Sequence, residues 1–329
     1  MFNKVIHVVH WQNSGIYHVV KTLSQYKDAE LNHEIVVLKD KNGHTSWKQI
    51  KKLCLSLLTS STAIHAHSFL PCLLLPFNMG KKFSTFHSDY PFLTNSDLKS
   101  KIKKNILRLI LKFFTVRISC ISPKIQSILN SNLSVDGCVI FNPVEVDNLK
   151  TLSTPNEIKS FGLMGRFDYE KNFESAIKAF IEANKEGKFE LVIAGDGQLK
   201  DKLMGLSQLC SHNSINFIGQ VSNKSDFYKK IDCLVCSSFY EGGPLVVMEA
   251  MLAKRLIIST EVGFLQSFNK LLYIKTGSNI IDLKGAINIA KDIPIEKIED
   301  MTKNNQLFCE KHFNIDTIYN QYLNKLWLT

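Results

Sequence analysis

Hydrophobic positions along this chain fall into short β-rich runs separated by stretches with helical spacing. In the first half the runs are Val5 to Val9, Glu34 to Leu38, Thr62 to His65, Lys82 to Phe86, Arg117 to Ile121 and Cys138 to Phe141. After a polar stretch from Asp147 to Ile158 come Phe161 to Met164, Glu190 to Ala194, Asn216 to Ile218, Cys233 to Cys236 and Leu256 to Ser259. Strand-like runs alternating with helical segments predict parallel sheets covered by helices. The expectation is an α/β protein of two Rossmann-like, doubly wound domains, 1–152 and 153–329, facing each other across a deep cleft. The C-terminal stretch Met301 to Trp327 is helical in pattern, with Phe308, Phe313, Tyr319, Tyr322 and Trp327 as packing residues. Its terminal helix is expected to return to the N-terminal domain.

One helical segment has a double character. From Asp97 to Arg117, Ile102, Ile106, Leu109, Ile110 and Phe113 recur on one side while Lys101, Lys104, Arg108 and Lys112 gather on the other. Two functions fit: a core-packed helix with a solvated basic face, or an interfacial helix that docks on anionic lipid. Charge bears on the choice. The chain has a formal net charge of +10, and residues 1–150 carry 19 Lys and Arg against 9 Asp and Glu, while the remainder carries 21 of each. Only the N-terminal half is therefore expected to meet an anionic surface or acceptor. Nucleic acid is the least favoured partner, because the basic segment has no recognisable reader motif or set of stacking aromatics.

No uninterrupted apolar run is long enough to cross a bilayer, since Arg108, Lys112 and Arg117 interrupt the greasiest segment. The N-terminus runs directly into the first strand pattern without a signal-peptide core, so a cytoplasmic protein is expected, and the basic helix adds the expectation of a peripheral place on the inner membrane face. The 8 cysteines are scattered. Cys233 and Cys236 form the only close pair and lie inside an apolar strand, so they are read as reduced core thiols. His65 and His67 alternate on one strand face and raise the question of a metal, but no third ligand is evident in sequence. No Asp-x-Asp occurs, and neither metal nor cofactor is expected.

The strongest chemical signal is Ser237-Ser238-Phe239-Tyr240-Glu241-Gly242-Gly243-Pro244-Leu245-Val246-Val247-Met248-Glu249-Ala250-Met251. It places a carboxylate at a strand's carboxyl end, then a tight Gly-Gly-Pro turn that opens a helix carrying a second carboxylate. Ligands of parallel α/β sheets bind at that edge, and a helix N-terminus attracts phosphate. Glu249 stands among Val246, Val247, Met248 and Met251, which argues against a merely solvated glutamate.

In order along the chain, Ser14-Gly15-Ile16, His33-Glu34-Ile35-Val36, Phe86-His87-Ser88-Asp89, Ile140-Phe141-Asn142-Pro143-Val144, Gly165-Arg166 with Lys171-Asn172, Ala194-Gly195-Asp196-Gly197, Phe217-Ile218-Gly219 and Glu241 to Met251 resemble the retaining GT-B glycosyltransferases of family 4, the group 1 glycosyltransferases. The resemblance covers most of the chain. It implies a nucleotide-sugar donor held by the C-terminal domain and a saccharide or lipid-linked acceptor held by the N-terminal domain. Arg166 and Lys171 match the pair that binds the donor diphosphate, Glu249 the carboxylate on the ribose hydroxyls, and Glu241 the one on the donor sugar near the reacting carbon. Gly242 and Gly243 match backbone support for sugar and phosphate, with Gly165, Gly219, Pro244 and Leu245 in the same donor set.

His87 matches a histidine that aligns the donor sugar, and is expected to face Glu241. His67 and Asp89 are candidates near the acceptor. Gly15 matches a phosphate-approaching turn, although family members often carry two glycines where this chain has Ser14-Gly15. The resemblance further implies retention by front-face substitution without a dedicated base, a UDP-sugar donor, and a growing bacterial surface glycan such as capsule, O-antigen or lipopolysaccharide as product. Hexosyl or N-acetylhexosaminyl transfer is the expected type. Two other functions remain open: a sugar-nucleotide epimerase of the same architecture, and a non-catalytic GT-B subunit. The second draws on departures from the family pattern, with Lys254-Arg255-Leu256 after the glutamate helix and no acid close behind Val262-Gly263-Phe264.

Overall fold

The computed structural model describes residues 2–328 apart from 13, 27–29, 89, 115, 145–148 and 269. The chain divides into two compact units, Met1–Val144 with Phe313–Thr329, and Glu145–His312. The second unit thus begins ahead of the boundary expected at 152/153 and ends at His312, within the helical stretch Met301 to Trp327.

In the first unit, β1 (Lys4–Trp11), β2 (Asn32–Lys39), β3 (Thr62–His67), β4 (Lys82–Phe86), β5 (Arg117–Cys120) and β6 (Cys138–Val139) form one sheet in the order β2-β1-β3-β4-β5-β6. All its pairings are parallel. Every residue of β3 is buried, as expected where helices cover both faces of a strand. The strand order reverses between β1 and β3, so their carboxyl ends flank the crevice where such sheets bind ligands.

In the second unit, β7 (Ser160–Met164), β8 (Glu190–Ala194), β9 (Ile215–Gly219), β10 (Cys233–Cys236), β11 (Leu256–Ser259) and β12 (Ile274–Lys275) are ordered β12-β11-β10-β7-β8-β9. These pairings are parallel too. The hydrophobic pattern anticipates five of these strands and misses β12. A two-residue edge strand, Ile274 and Lys275, is too short to generate a pattern. The reversal point lies between β7 and β10, which carry Gly165-Arg166 and Glu241 immediately beyond their ends.

The segment Asp97 to Arg117 is helical over Leu98–Phe113, with Asp97 as N-cap accepting from the Ser100 amide at 3.0 Å. Its faces differ from the sequence expectation. Leu107, Ile110 and Leu111 are buried, whereas Leu98, Ile102, Ile106, Leu109 and Phe113 are 74%, 51%, 41%, 53% and 76% exposed. The residues expected as the packing face, Ile110 excepted, form an outward stripe, because the helix has a second apolar row that takes the core. Arg108 is tied to the carbonyl of Asn132 at 2.8 Å and Lys104 to that of Asn95 at 2.9 Å, so these two cations serve the fold. Lys101 and Lys112 are exposed. No helix of the described residues is long and apolar enough to cross a membrane.

Candidate functional site

The second unit gathers its polar groups at the β7/β10 reversal. Beyond β7, Asp168 caps a short 3₁₀ turn, Tyr169–Lys171, by accepting from the Lys171 amide at 3.3 Å, and its other oxygen holds Arg166 at 3.0 Å. Asn172 follows in the left-handed region at φ 53°, a conformation Asn tolerates better than most residues. Its buried amide donates to the carbonyls of Ser237 at 3.2 Å and Ser278 at 2.7 Å. The Ser237 hydroxyl donates back to the Lys171 carbonyl at 2.9 Å, and the Phe239 amide to that of Glu170 at 2.9 Å. These bonds lock the segment after β7 to the segment after β10.

That lock brings Lys171 to Glu241. The ammonium donates to Glu241 Oε1, which also accepts from the Ser238 hydroxyl at 3.0 Å. Burial pulls the Lys171 pKa down, but the Glu241 carboxylate outweighs it and the net shift is upward, so the pair is ionic. Arg166 is mostly exposed and keeps its guanidinium toward solvent except for Asp168. Two helix N-termini stand beside these cations. The helix Phe173–Ala183 begins after Asn172 and the helix Leu245–Leu252 after Pro244, and neither N-cap side chain is hydrogen-bonded to its helix. A helix N-terminus without a side-chain cap is suited to binding phosphate.

Glu249 lies within the second of these helices and is buried. Its carboxylate accepts from Lys224 Nζ through Oε1, and the Tyr228 hydroxyl sits 3.1 Å from Oε2 and 2.9 Å from the Val246 carbonyl. Burial, reinforced by the Glu249 charge, pushes the Tyr228 phenol well above its usual range, so it remains a donor. Lys224, Tyr228, Ser238 and Asp168 were not among the candidates from sequence. Asp168 and Ser238 lie three residues from Lys171 and Glu241 in the segments after β7 and β10, whereas Lys224 and Tyr228 come from a helix 21 to 25 positions from Glu249.

Glycines shape this edge where no side chain fits. A Cβ on Gly195, at φ 140°, would lie 1.9 Å from the Gly165 carbonyl oxygen, so the turns after β7 and β8 close on each other only through Gly195. Gly165 and Gly219 also adopt positive φ, at 157° and 70°. Gly242 packs its carbonyl under Gly263, beside Pro244, at a point where a Cβ on Gly263 would meet both. Gly243 and Leu245 lie partly exposed along the same loop.

The first unit presents a different chemistry at its β1/β3 reversal. Ser14 caps the helix Gly15–Ser24, accepting from Tyr17 at 3.2 Å while donating to the Trp11 carbonyl at 2.7 Å. Ser14 thus has a capping task of its own. His67 ends β3, and Ser68 follows at φ 94°, ψ 174°, a region populated almost only by glycine and costly for serine. His87, just beyond β4, is buried, and burial lowers its pKa to about 4 even though the neighbouring Asn142 amide favours its proton. Asp89, expected beside it, lies outside the described residues.

The sequence showed two histidines on β3 and no third ligand; the structure adds His7 of β1, and the ligand atoms of His7, His65 and His67 lie within 4.8 Å of one another. Their nitrogens are already engaged. His7 Nδ1 is 2.9 Å from His67 Nε2, His67 Nδ1 is 3.0 Å from His87 Nε2, and His7 Nε2 is 3.0 Å from His33 Nδ1. The Trp327 indole N–H donates to His65 Nδ1 at 3.3 Å, which places the His65 proton on Nε2, where it meets the Thr85 hydroxyl at 2.7 Å.

Comparison with known proteins finds similar glycosyltransferases. The profile of the family described as Glycosyl transferases group 1 matches residues 148–308. An uncharacterized glycosyltransferase of Methanocaldococcus jannaschii is 27% identical over 299 residues, covering 86% of this chain and 78% of that protein. The Campylobacter jejuni enzyme GalNAc-alpha-(1->4)-GalNAc-alpha-(1->3)-diNAcBac-PP-undecaprenol alpha-1,4-N-acetyl-D-galactosaminyltransferase is 33% identical over 96 residues, 27% of this chain and 25% of the enzyme. Two further Methanocaldococcus jannaschii relatives match over only 33% and 32% of their own length. Among solved structures, Anabaena HepE in complex with UDP and glucose superposes with a TM-score of 0.77 at 14% identity, covering 98% of this chain and 99% of HepE. Residues 148–308 are therefore similar to the group 1 glycosyl transferases, in a chain that has the GT-B fold.

Proposed function

We infer that the protein is a retaining glycosyltransferase that moves a hexosyl or N-acetylhexosaminyl group from a UDP-sugar to a saccharide or lipid-linked saccharide. The observation that carries this is the set of charges at the β7/β10 reversal: Lys171 paired with Glu241, Arg166 beside it, and two helix N-termini without side-chain caps. A departing nucleoside diphosphate gathers negative charge, and preorganised cations with free amides stabilise it as it forms. Glu249 is buried yet reaches an exposed lysine, so its oxygens suit the two vicinal hydroxyls of a ribose once Lys224 swings aside. Glu241 serves the sugar near its reacting carbon, where a carboxylate favours developing positive charge, and His87 has the role that the resemblance gives it, alignment of the donor sugar. The leaving diphosphate itself assists removal of the acceptor proton, so the chain supplies no dedicated base.

Support for the donor comes from HepE, whose structure holds UDP and glucose. Support for a lipid-linked acceptor comes from the Campylobacter enzyme, whose name specifies a saccharide on PP-undecaprenol. Bacterial surface polysaccharide synthesis is the corresponding role. The outward stripe of the helix Leu98–Phe113, with exposed Lys99, Lys101, Lys103 and Lys112 beside it, suits an anionic membrane surface that would present such an acceptor.

The test is a panel of nucleotide sugars in a thermal-shift assay, because a ligand that binds only the folded protein raises its melting temperature. A UDP-sugar should stabilise the protein and Glu249→Ala should remove most of that gain. Arg166→Ala should instead lower turnover, by about tenfold or more for loss of one charge-stabilising group. Equal responses of wild type and both variants would refute the assignment.

A further inference from the structure

The first unit contains an unbroken line of imidazoles of which the proposed reaction uses only His87. It runs from His87 through His67 and His7 to His33 with separations of 3.0, 2.9 and 3.0 Å, and ends at the Tyr319 hydroxyl, 2.9 Å from His33 Nε2. Each contact joins Nδ1 of one ring to Nε2 of the next. His7, His67 and His87 are buried. Burial holds His7 and His67 well below the ordinary histidine range, and His33 and His87 at about 4, so all four rings are neutral near pH 7. A neutral imidazole has one N–H and one lone pair. In a head-to-tail line the choice of protonated nitrogen in one ring consequently dictates the choice in the next, and only two patterns satisfy every contact: the proton on Nδ1 throughout, or on Nε2 throughout.

The alternative use of these rings, as metal ligands, competes directly with these bonds. Both nitrogens of His7 and of His67 belong to the line, and both of His65 are taken by Trp327 and Thr85. The cluster also has no carboxylate among its three candidate ligands. Of the eight nitrogens in the line, Nδ1 of His87 alone is left by the ring and hydroxyl contacts. It belongs to the residue at the β4 end that the proposed function places on the donor sugar, next to the strained Ser68 turn.

We propose that His67, His7 and His33 act as positioning residues which, anchored by the Tyr319 hydroxyl, hold His87 in one tautomer and one ring orientation for its ligand. The tautomer of a histidine is set by the bond its other nitrogen makes, and here that bond is relayed through three further rings. With the Tyr319 hydroxyl donating to His33 Nε2, the expected pattern is Nδ1–H in all four rings. The C-terminal segment thereby contributes to a residue beyond β4 that it does not touch through any ring of its own. The catalytic significance of His87 rests on the glycosyltransferase reading, whereas the relay itself does not.

The experiment is ¹⁵N NMR of the histidine side chains in the full chain, which reports the protonated nitrogen of each ring, in wild type and in Tyr319→Phe, His33→Gln and His212→Ala. Wild type should show the same nitrogen protonated in His33, His7, His67 and His87; a mixed set overturns the relay. Tyr319→Phe, which removes one hydroxyl and spares the ring, should shift the His87 resonances, as should His33→Gln, while His212→Ala, exposed and outside the line, should not. Unchanged His87 resonances in both line variants also overturn it. If glycosyl transfer is found, His33→Gln should lower kcat by about tenfold or more with the donor KM little changed, on the scale that misplacing a contacting group costs. Failure to find transfer would remove the role given to His87 and leave the NMR result to stand or fall alone.

Discussion

At the scale of single residues, Asn172 shows how the edge at the β7/β10 reversal is built. Its side chain satisfies two carbonyls, Ser237 and Ser278, that belong to segments following different strands, and it does so from a left-handed backbone at φ 53°. Removing the amide strands two acceptors in a buried place, each costing roughly 1–3 kcal/mol when water cannot replace the donor. Asn172→Ala should therefore destabilise the second unit by about 2 kcal/mol or more, measured as a fall in the denaturant midpoint without change of slope. It should also loosen Lys171 from Glu241 and weaken binding of the proposed donor. Much of this site was legible in sequence. Gly165, Arg166, Lys171, Glu241 and Glu249 all fall on strand ends or on a helix that the pattern located. Lys224 and Tyr228 were not, because a lysine and a tyrosine on a short surface helix carry no local sign that they meet a buried carboxylate 21 or 25 positions away.

The helix Leu98–Phe113 shows what periodicity decides and what it leaves open. Its spacing fixed the existence of the element, but two apolar rows share one helix, and the hydrophobic pattern alone does not say which row meets the core. Packing gives Leu107, Ile110 and Leu111 to the interior and leaves Leu98, Ile102, Ile106, Leu109 and Phe113 outside. Exposed apolar side chains in a continuous row, as opposed to scattered ones, mark a surface with a partner. Lysines flanking the row favour an anionic interface over a neutral one, since each basic residue near such a surface contributes on the order of 1 kcal/mol. The protein should therefore co-sediment with vesicles containing anionic lipid and much less with neutral ones. Ile102→Ser with Leu109→Ser should reduce binding to both, and Lys101→Gln with Lys112→Gln should erase the preference for anionic vesicles. Equal recovery on both vesicle types, or recovery on neither, would rule the membrane role out.

At the scale of the whole molecule, the histidines concentrate a pH dependence in the first unit. A group whose folded pKa lies below its unfolded value binds a proton first in the unfolded chain, so acid favours unfolding. For His87, with a folded value of about 4 against an ordinary 6.5, stability is complete above pH 6.5 and is lost progressively as pH falls toward 4. A shift of that size corresponds to roughly 3 kcal/mol over the full passage for one fully buried ring. His7, His65 and His67 shift in the same direction, but rings that share protons do not titrate independently, so the contributions do not simply add. The carboxylates respond later. Glu34, whose depressed pKa reflects Lys4 and Lys52 outweighing its burial, releases its stabilisation only below the usual carboxylate range. The melting temperature should thus fall in two stages on acidification, with the histidine stage first, and His87→Gln should flatten the first stage and leave the second unchanged. A single transition confined below pH 4.5, identical in the variant, would mean that the imidazoles are not buried as neutral rings, and both the acid sensitivity and the shared-tautomer line would fall together.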